Sequence, residues 1–149
     1  MKITKAEKSD KKALLHFYKA QHYSASFLGH DQCYFVKKNN TIIAAVMVSK
    51  IAEQFRHYFL HALVVDEKFQ HQGIASLLLN HANKLHQPLI CFANNSLETL
   101  YTHNDFEKLS VLEYETVIPQ HLLLRFIGYK NKQSQLQVFI STFDNVKTE

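Results

Sequence analysis

The sequence predicts an α+β domain in which helices pack on a mixed, mostly antiparallel central sheet. Three observations carry that expectation. CYFVKKNNTIIAAVMVSKI places two β-rich segments, 33–36 and 42–48, about Asn39 and Asn40, residues that tolerate hairpin-turn backbone. Ile74, Leu77, Leu78, His81, Ala82 and Leu85 recur at helical spacing. Residues 58–65 and 89–93 are short apolar runs with strand character.

In chain order, residues 1–6 read as a first strand with Ile3 as its main apolar contact, and Ser9 caps a helix whose inner face is Ala13, Leu14, Phe17 and Tyr18. Residues 22–30 form a second short helix or a loop. After the hairpin and the polar break AEQFRH, the run 58–65 alternates, with His61, Leu63 and Val65 on one face. The helix that follows Gly73 stops before Pro88. Ser96 is placed to cap a helix over 97–103. Residues 109–117 look strand-like, a further helix follows Pro119 and ends near Gly128, and Leu136, Val138, Ile140 and Phe143 suggest a last strand.

The chain has 149 residues, of which 46% are hydrophobic and 20% charged, with 2 Pro and 3 Gly, enough apolar material for one substantial core and unlike collagen or a disordered chain. No repeat or long linker divides it, so one domain over 1–149 is expected. The net charge is +4, but Arg56 and Arg125 are the only arginines, so the rigid forks that read bases and phosphates are scarce. No nucleic-acid partner is expected. Cys33 and Cys91 are far apart in sequence and read as buried free thiols. No apolar run reaches a membrane span, and Glu7 and Asp10 stand where a secretory signal would be apolar. A cytoplasmic protein, monomeric or homodimeric, with no membrane partner, is the expectation.

The stretch LHALVVDEKFQHQGIASLLLNHANKL carries the chemistry. A strand gives way to a polar turn, and Gln70, His71, Gln72, Gly73, Ile74 and Ala75 open a helix. Gly73 has no side chain where a ligand would approach, Ala75 keeps the next turn narrow, and the helix-start amides with the positive end of the helix dipole suit a pyrophosphate. Lys68, Gln70 and Gln72 stand at its edge as further donors. This is neither GxGxxG nor GxxxxGK[ST].

With the preceding strand and a later asparagine–tyrosine helix, the stretch resembles the GCN5-related N-acetyltransferase (GNAT) family. The family signature [Q/R]-x-x-G-x-[G/A] is met by Gln70, Gly73 and Ala75. The resemblance implies a GNAT-like sheet, acetyl-CoA as cosubstrate with no metal, and backbone at Val65 against the pantetheine arm. It also implies a bulge and strand splay between the runs 58–65 and 89–93, opening a slot for that arm. Asn95 and Tyr101 match N-x-x-x-x-x-Y, which implies Asn95 on the pantetheine side and Tyr101 as the acid that protonates the leaving thiolate. Two departures stand out: Gln70 replaces the commoner arginine, and Asp105-Phe106 replaces a Gly-Phe tendency.

Direct acetyl transfer to a primary amine within a ternary complex also needs a base, and His61, four residues before Val65, is the leading candidate. LHALVV is similar locally to arylalkylamine N-acetyltransferases, whose strand histidine helps deprotonate the amine. His57 and Glu53 are alternatives. His57 and His61 are four apart, but no cysteine or carboxylate set completes a metal site beside them. A small amine or a peptide amine is the expected acceptor. Phe27, Tyr34, Phe55, Tyr58 and Phe59 are candidates to line its slot, and Asp31, Glu53 and Glu113 are candidates to contact it. The competing expectation is a noncatalytic acetyl-CoA-binding regulatory protein on the same fold, which would keep Gln70, Gly73 and Ala75 without needing His61 and Tyr101.

Overall fold

The structure, a computed structural model, describes residues 1–25, 31–52 and 54–141. Its seven strands are β1 (Ile3–Lys5), β2 (Gln32–Lys38), β3 (Thr41–Lys50), β4 (Tyr58–Val65), β5 (Leu89–Asn94), β6 (Phe106–Lys108) and β7 (Leu136–Ser141). The helices are α1 (Lys11–Ala20), α2 (Ile74–Leu85), α3 (Glu98–Thr102), α4 (Tyr114–Val117) and α5 (Gln120–Lys132). This is the α+β class the sequence predicts. The contacts divide it into two compact units, Met1–Lys50 with Leu60–Leu85, and Ile51–Phe59 with His86–Glu149. Among the described residues no helix is long and apolar enough to cross a membrane.

In the first unit the strands run in the order β1-β2-β3-β4. Asn39 and Asn40 sit at φ 51° and 65°, so both turn residues are left-handed, the geometry that matches the twist of a two-residue hairpin. Lys38 faces Thr41 beside the turn, and a register shift between Val36 and Lys37 then pairs Val36 with Ala44 and Gln32 with Val48. α1 covers one face, where Leu14, Phe17 and Tyr18 bury against Cys33, Phe35, Ala45, Met47 and Ala62. Ala13 stays exposed, and the turn that enters α1 is tied by the Glu7 amide donating to the Asp10 carboxylate at 2.8 Å, with Glu7 and Asp10 rather than Ser9 at the cap positions.

α2 keeps the expected start and end but turns a different face inward. Ile74, Leu78 and Ala82 are buried as expected, joined by Leu79 and Asn83, while Leu77 and Leu85 are exposed. The sequence pattern misplaced the stripe because its inner edge carries a polar residue. Asn83 is buried with an Oδ1 that has no hydrogen-bond partner.

In the second unit β7 lies between β5 and β6, antiparallel to both. Its core gathers Phe59, Ile90, Leu109, Tyr114, Ile118, Leu122, Phe126, Leu136 and Val138. Residues 109–117 are not a strand. The strand is the shorter Phe106–Lys108, and the chain then turns through 111–113 into α4. Ser110 donates its hydroxyl to the Glu113 carboxylate at 2.9 Å, the S-x-x-E signature of a helix start overriding β-rich composition. α5 runs through Gly128 to Lys132. Asn94 caps the turn 95–97 that leads into α3, its Oδ1 accepting from the Ser96 amide at 2.9 Å, and Ser96 does not cap α3, whose cap position is Leu97. Phe143 and most of the 22–30 segment, Phe27 included, lie outside the described residues.

Both cysteines are free and buried. Burial pushes the Cys33 thiol up to about 12 against the partial relief of its hydrogen bond with Tyr18, and burial raises Cys91 further. The folded protein is therefore expected to leave both thiols unreacted with an alkylating reagent at pH 8, with reaction appearing on unfolding. The raised Cys33 value also carries stability that is complete below pH 9 and is lost as pH climbs toward 12. Rapid labelling of either thiol in the folded protein at pH 8 would contradict this assignment.

Candidate active site

The first unit assembles the strand-to-helix turn. Tyr18 is fully buried on α1 and donates its phenol to the Ala62 carbonyl at 2.8 Å. Desolvation raises the Tyr18 pKa strongly, so the phenol keeps the proton that this bond needs. Ala62 itself sits at φ 55° inside β4, a left-handed residue that interrupts period-two alternation. The exposure of β4 follows: Phe59 and Leu60 are both buried, and 63–65 are all half-buried, so the single face expected for His61, Leu63 and Val65 does not run through the strand.

Past β4, the Asp66 amide donates to the Ile43 carbonyl at 2.7 Å and the Asp66 carboxylate accepts from the Lys68 amide at 2.9 Å, which closes a short turn over 67–69. Gln70 donates its side-chain amide to the Val65 carbonyl at 3.1 Å, strapping the end of β4 to the turn. That bond places on Val65 the donor that the sequence reading offered to phosphate. His71 at φ 64° and Gly73 at φ 83° are both left-handed. Gly73 accepts from the Leu77 amide at 3.1 Å and so begins α2.

A helix start has amides with no carbonyl one turn back, and its dipole favours an anion. A Cβ added to Gly73 would meet no atom within 4 Å, so the space in front of this turn is open. His71, Gln72 and Gly73 are exposed and Ala75 is half-buried. The turn is thus an exposed, amide-rich end of a twelve-residue helix with room for a phosphate group. One cation near it escaped the sequence reading. Lys38, at the tip of the hairpin, holds its ammonium 5.1 Å from the Phe69 ring centroid. Only long-range pairing brings it to the turn.

His61 is half-buried in the same unit and belongs to a hydrogen-bond chain. Its Nε2 lies 2.6 Å from the Ser49 hydroxyl, and that hydroxyl is in turn hydrogen-bonded to the Asp31 carboxylate. Asp31 was a candidate amine contact in the sequence, whereas Ser49 was not singled out.

Asn95 and Tyr101 belong to the second unit. Asn95 is half-buried, its amide donates to the Gln135 carbonyl at 2.8 Å, and its Oδ1 accepts from Lys108 at 3.3 Å. Tyr101 is buried in α3, stacked on Phe139 at 5.0 Å and edge-on to Phe106 at 5.4 Å, and its hydroxyl hydrogen-bonds Cys91. His57, also in this unit, lies against Phe55 at 5.0 Å with its Nδ1 buried and unpartnered. Desolvation, then the neighbouring Arg56, lowers its pKa, so its ring stays neutral. Glu53 lies outside the described residues.

Known proteins bear on this arrangement in two ways. No curated protein sequence matches the chain. Among solved structures, Escherichia coli ElaA aligns with a TM-score of 0.68 at 12% identity, covering 95% of this chain and 99% of its own. An acyl-CoA N-acyltransferase from Pseudomonas aeruginosa aligns with a TM-score of 0.65 at 12% identity, covering 95% and 99%. N-acetylglutamate synthase from Neisseria gonorrhoeae, complexed with coenzyme A and N-acetyl-glutamate, aligns with a TM-score of 0.65 at 12% identity over 95% of this chain. The present chain spans only 35% of that synthase. At such identities these likenesses show the fold. The sequence itself matches the acetyltransferase (GNAT) family over residues 3–108, which takes in β1 through β6 and both halves of the motif. This chain belongs to the acetyltransferase (GNAT) family.

Proposed function

We propose that the protein is an acetyl-CoA-dependent N-acyltransferase that passes an acetyl group to a primary amine by direct attack within a ternary complex. The observation that carries the reading is the turn at the start of α2, where Gly73 at φ 83° leaves open space before an exposed helix N-terminus. That N-acetylglutamate synthase from Neisseria gonorrhoeae, which shares the fold, is complexed with coenzyme A supports the choice of ligand. Gln72, Gly73, Ile74 and Ala75 would hold the pyrophosphate through backbone amides, with His71 shaping the turn. Val65 offers backbone to the pantetheine arm, and Gln70 fixes the Val65 carbonyl from the side. Asn95 is assigned to the pantetheine side. The cosubstrate supplies an acetyl group activated as a thioester.

The protein's own part is proton management. His61 takes a proton from the acceptor ammonium or amine, which leaves the nitrogen lone pair able to form the new amide bond. Tyr101 gives a proton to the departing thiolate. A hydroxyl has one proton, so this role requires Tyr101 to release any bond it donates to Cys91. Tyr101→Phe, which keeps the ring and its stacking, is expected to preserve folding and lower turnover about tenfold to a hundredfold. Turnover equal to wild type on a productive amine would remove Tyr101 from the mechanism. Native mass spectrometry with acetyl-CoA tests the binding half of the proposal: one coenzyme per chain is expected, and no retained coenzyme at micromolar concentrations would sink it.

A further inference from the structure

We propose that Lys38 supplies the cationic contact to the pyrophosphate at the start of α2, reaching it from the β2–β3 hairpin. This rests on the reading of that turn as the coenzyme's phosphate site and adds the charge that the turn itself lacks. Within 66–73 the carboxylates of Asp66 and Glu67 stand against the single ammonium of Lys68, so the approach to α2 is negative on balance. Gln70 is neutral, and its side-chain amide donates to the Val65 carbonyl. The amides at the helix start offer only about half a positive charge through the dipole. A pyrophosphate linkage carries a negative charge on each phosphate, so a turn of this composition needs a cation from elsewhere in the fold.

The hairpin brings one there. Lys37 and Lys38 fall on opposite sides of β2, as successive strand residues do. Lys37 holds its ammonium 5.8 Å from the ring centroid of Phe35, which packs with the α1 residues. Lys38 shares its side with Tyr34, whose ring meets that of His81 on α2 at 4.9 Å. From Tyr34 to Lys38 the strand advances about 13 Å, and from His81 back to Ile74 the helix covers about 10 Å. Both paths arrive at the turn 66–69, where two contacts fix the hairpin: the Asp66 amide donates to the Ile43 carbonyl at 2.7 Å, and the Lys38 ammonium lies 5.1 Å from the Phe69 ring centroid. A ring face holds an ammonium in place without neutralising it. Among the described residues no carboxylate pairs with Lys38, which is exposed. A lysine anchored in this way meets a phosphate as a point charge on a flexible stem, which suits a pyrophosphate that backbone amides already orient.

Calorimetric titration with coenzyme A and with dephospho-coenzyme A separates this role from bulk charge. Lys38→Met is expected to weaken both ligands roughly tenfold and by the same factor, because both carry the pyrophosphate. Lys37→Met removes the same charge from the other side of the strand and is expected to bind within about twofold of wild type. Lys38→Arg is expected to recover most of the loss, and the advantage of wild type over Lys38→Met should shrink as salt is raised. Wild-type affinity in a folded Lys38→Met, equal losses in Lys37→Met and Lys38→Met, or a loss confined to coenzyme A overturns the proposal. Inorganic pyrophosphate at millimolar concentration gives a reading that does not need the coenzyme. It is expected to shift the Gly73 and Ile74 amide resonances of wild type, and to do so with lower affinity in Lys38→Met. A wild type that shows these Lys38-dependent shifts and retains no coenzyme A sinks the acetyl-CoA reading alone. Shifts that are absent, or equal in wild type and Lys38→Met, sink the proposal.

Discussion

Gly73→Glu is expected to weaken acetyl-CoA binding roughly a hundredfold or more while the protein stays folded. Two effects separate cleanly at this position. Any L residue at φ 83° is strained by ~1–2 kcal/mol, whichever side chain it carries. A Cβ itself meets nothing within 4 Å, so there is no internal clash to add. Gly73→Ala therefore carries the strain alone and is expected to bind within a fewfold of wild type. The glutamate adds a carboxylate in front of the α2 amides, where a phosphate would need to be, and repels it. Calorimetric titration of the three proteins with acetyl-CoA checks the ordering. Equal affinity of wild type and a folded Gly73→Glu would move the phosphate site away from this turn.

His61→Ala is expected to lower turnover by about a hundredfold to ten-thousandfold, the range a positioned base contributes, with coenzyme affinity unchanged. The substitution removes the side chain that reaches Ser49, whereas the proposed phosphate turn works through the backbone amides of 72–75. The measurement is steady-state thiol release beside coenzyme affinity for the same preparation. A loss of affinity matching the loss of turnover would mean that the substitution had disturbed the unit as a whole. Unchanged turnover would leave water as the base.

Local chemistry made parts of this fold readable in the sequence. Asn39 and Asn40 fix the hairpin because both accept left-handed backbone, and the α2 start follows from Gly73 and the apolar i, i+4 series of Ile74, Leu78 and Ala82. Elsewhere a short-range signal competed with composition. In 109–117 the Ser110–Glu113 pair outweighs Val, Leu and Tyr, and the segment turns helical. The inner edge of α2 was hidden by Asn83, a polar side chain in a buried place.

The site was legible to a similar depth. The turn 70–75 and His61 announce themselves by motif, whereas the partners of His61 depend on register. A hairpin paired uniformly from Asn39 and Asn40 would put Asp31 opposite Val48. The shift between Val36 and Lys37 moves the pairing by one residue, and extending it from Gln32 and Val48 brings Asp31 opposite Ser49. A bulge has no sequence signature here, so the hydrogen-bond chain could not be foreseen. Tyr101 shows the reverse: with Asn95 it matches the family pattern, a resemblance that implies an acid, and only the packing reveals that Cys91 already engages its hydroxyl.

Acyl transfer to an amine is decided by thiol release, measured with acetyl-CoA against a panel of small primary amines and amino-terminal peptides. Amine-dependent thiol release is expected, with one N-acetylated amine by mass spectrometry for each thiol, strongly reduced in His61→Ala. Tight coenzyme binding with no acetylated product from any member of the panel would contradict it and leave a coenzyme-binding regulatory protein on the same fold.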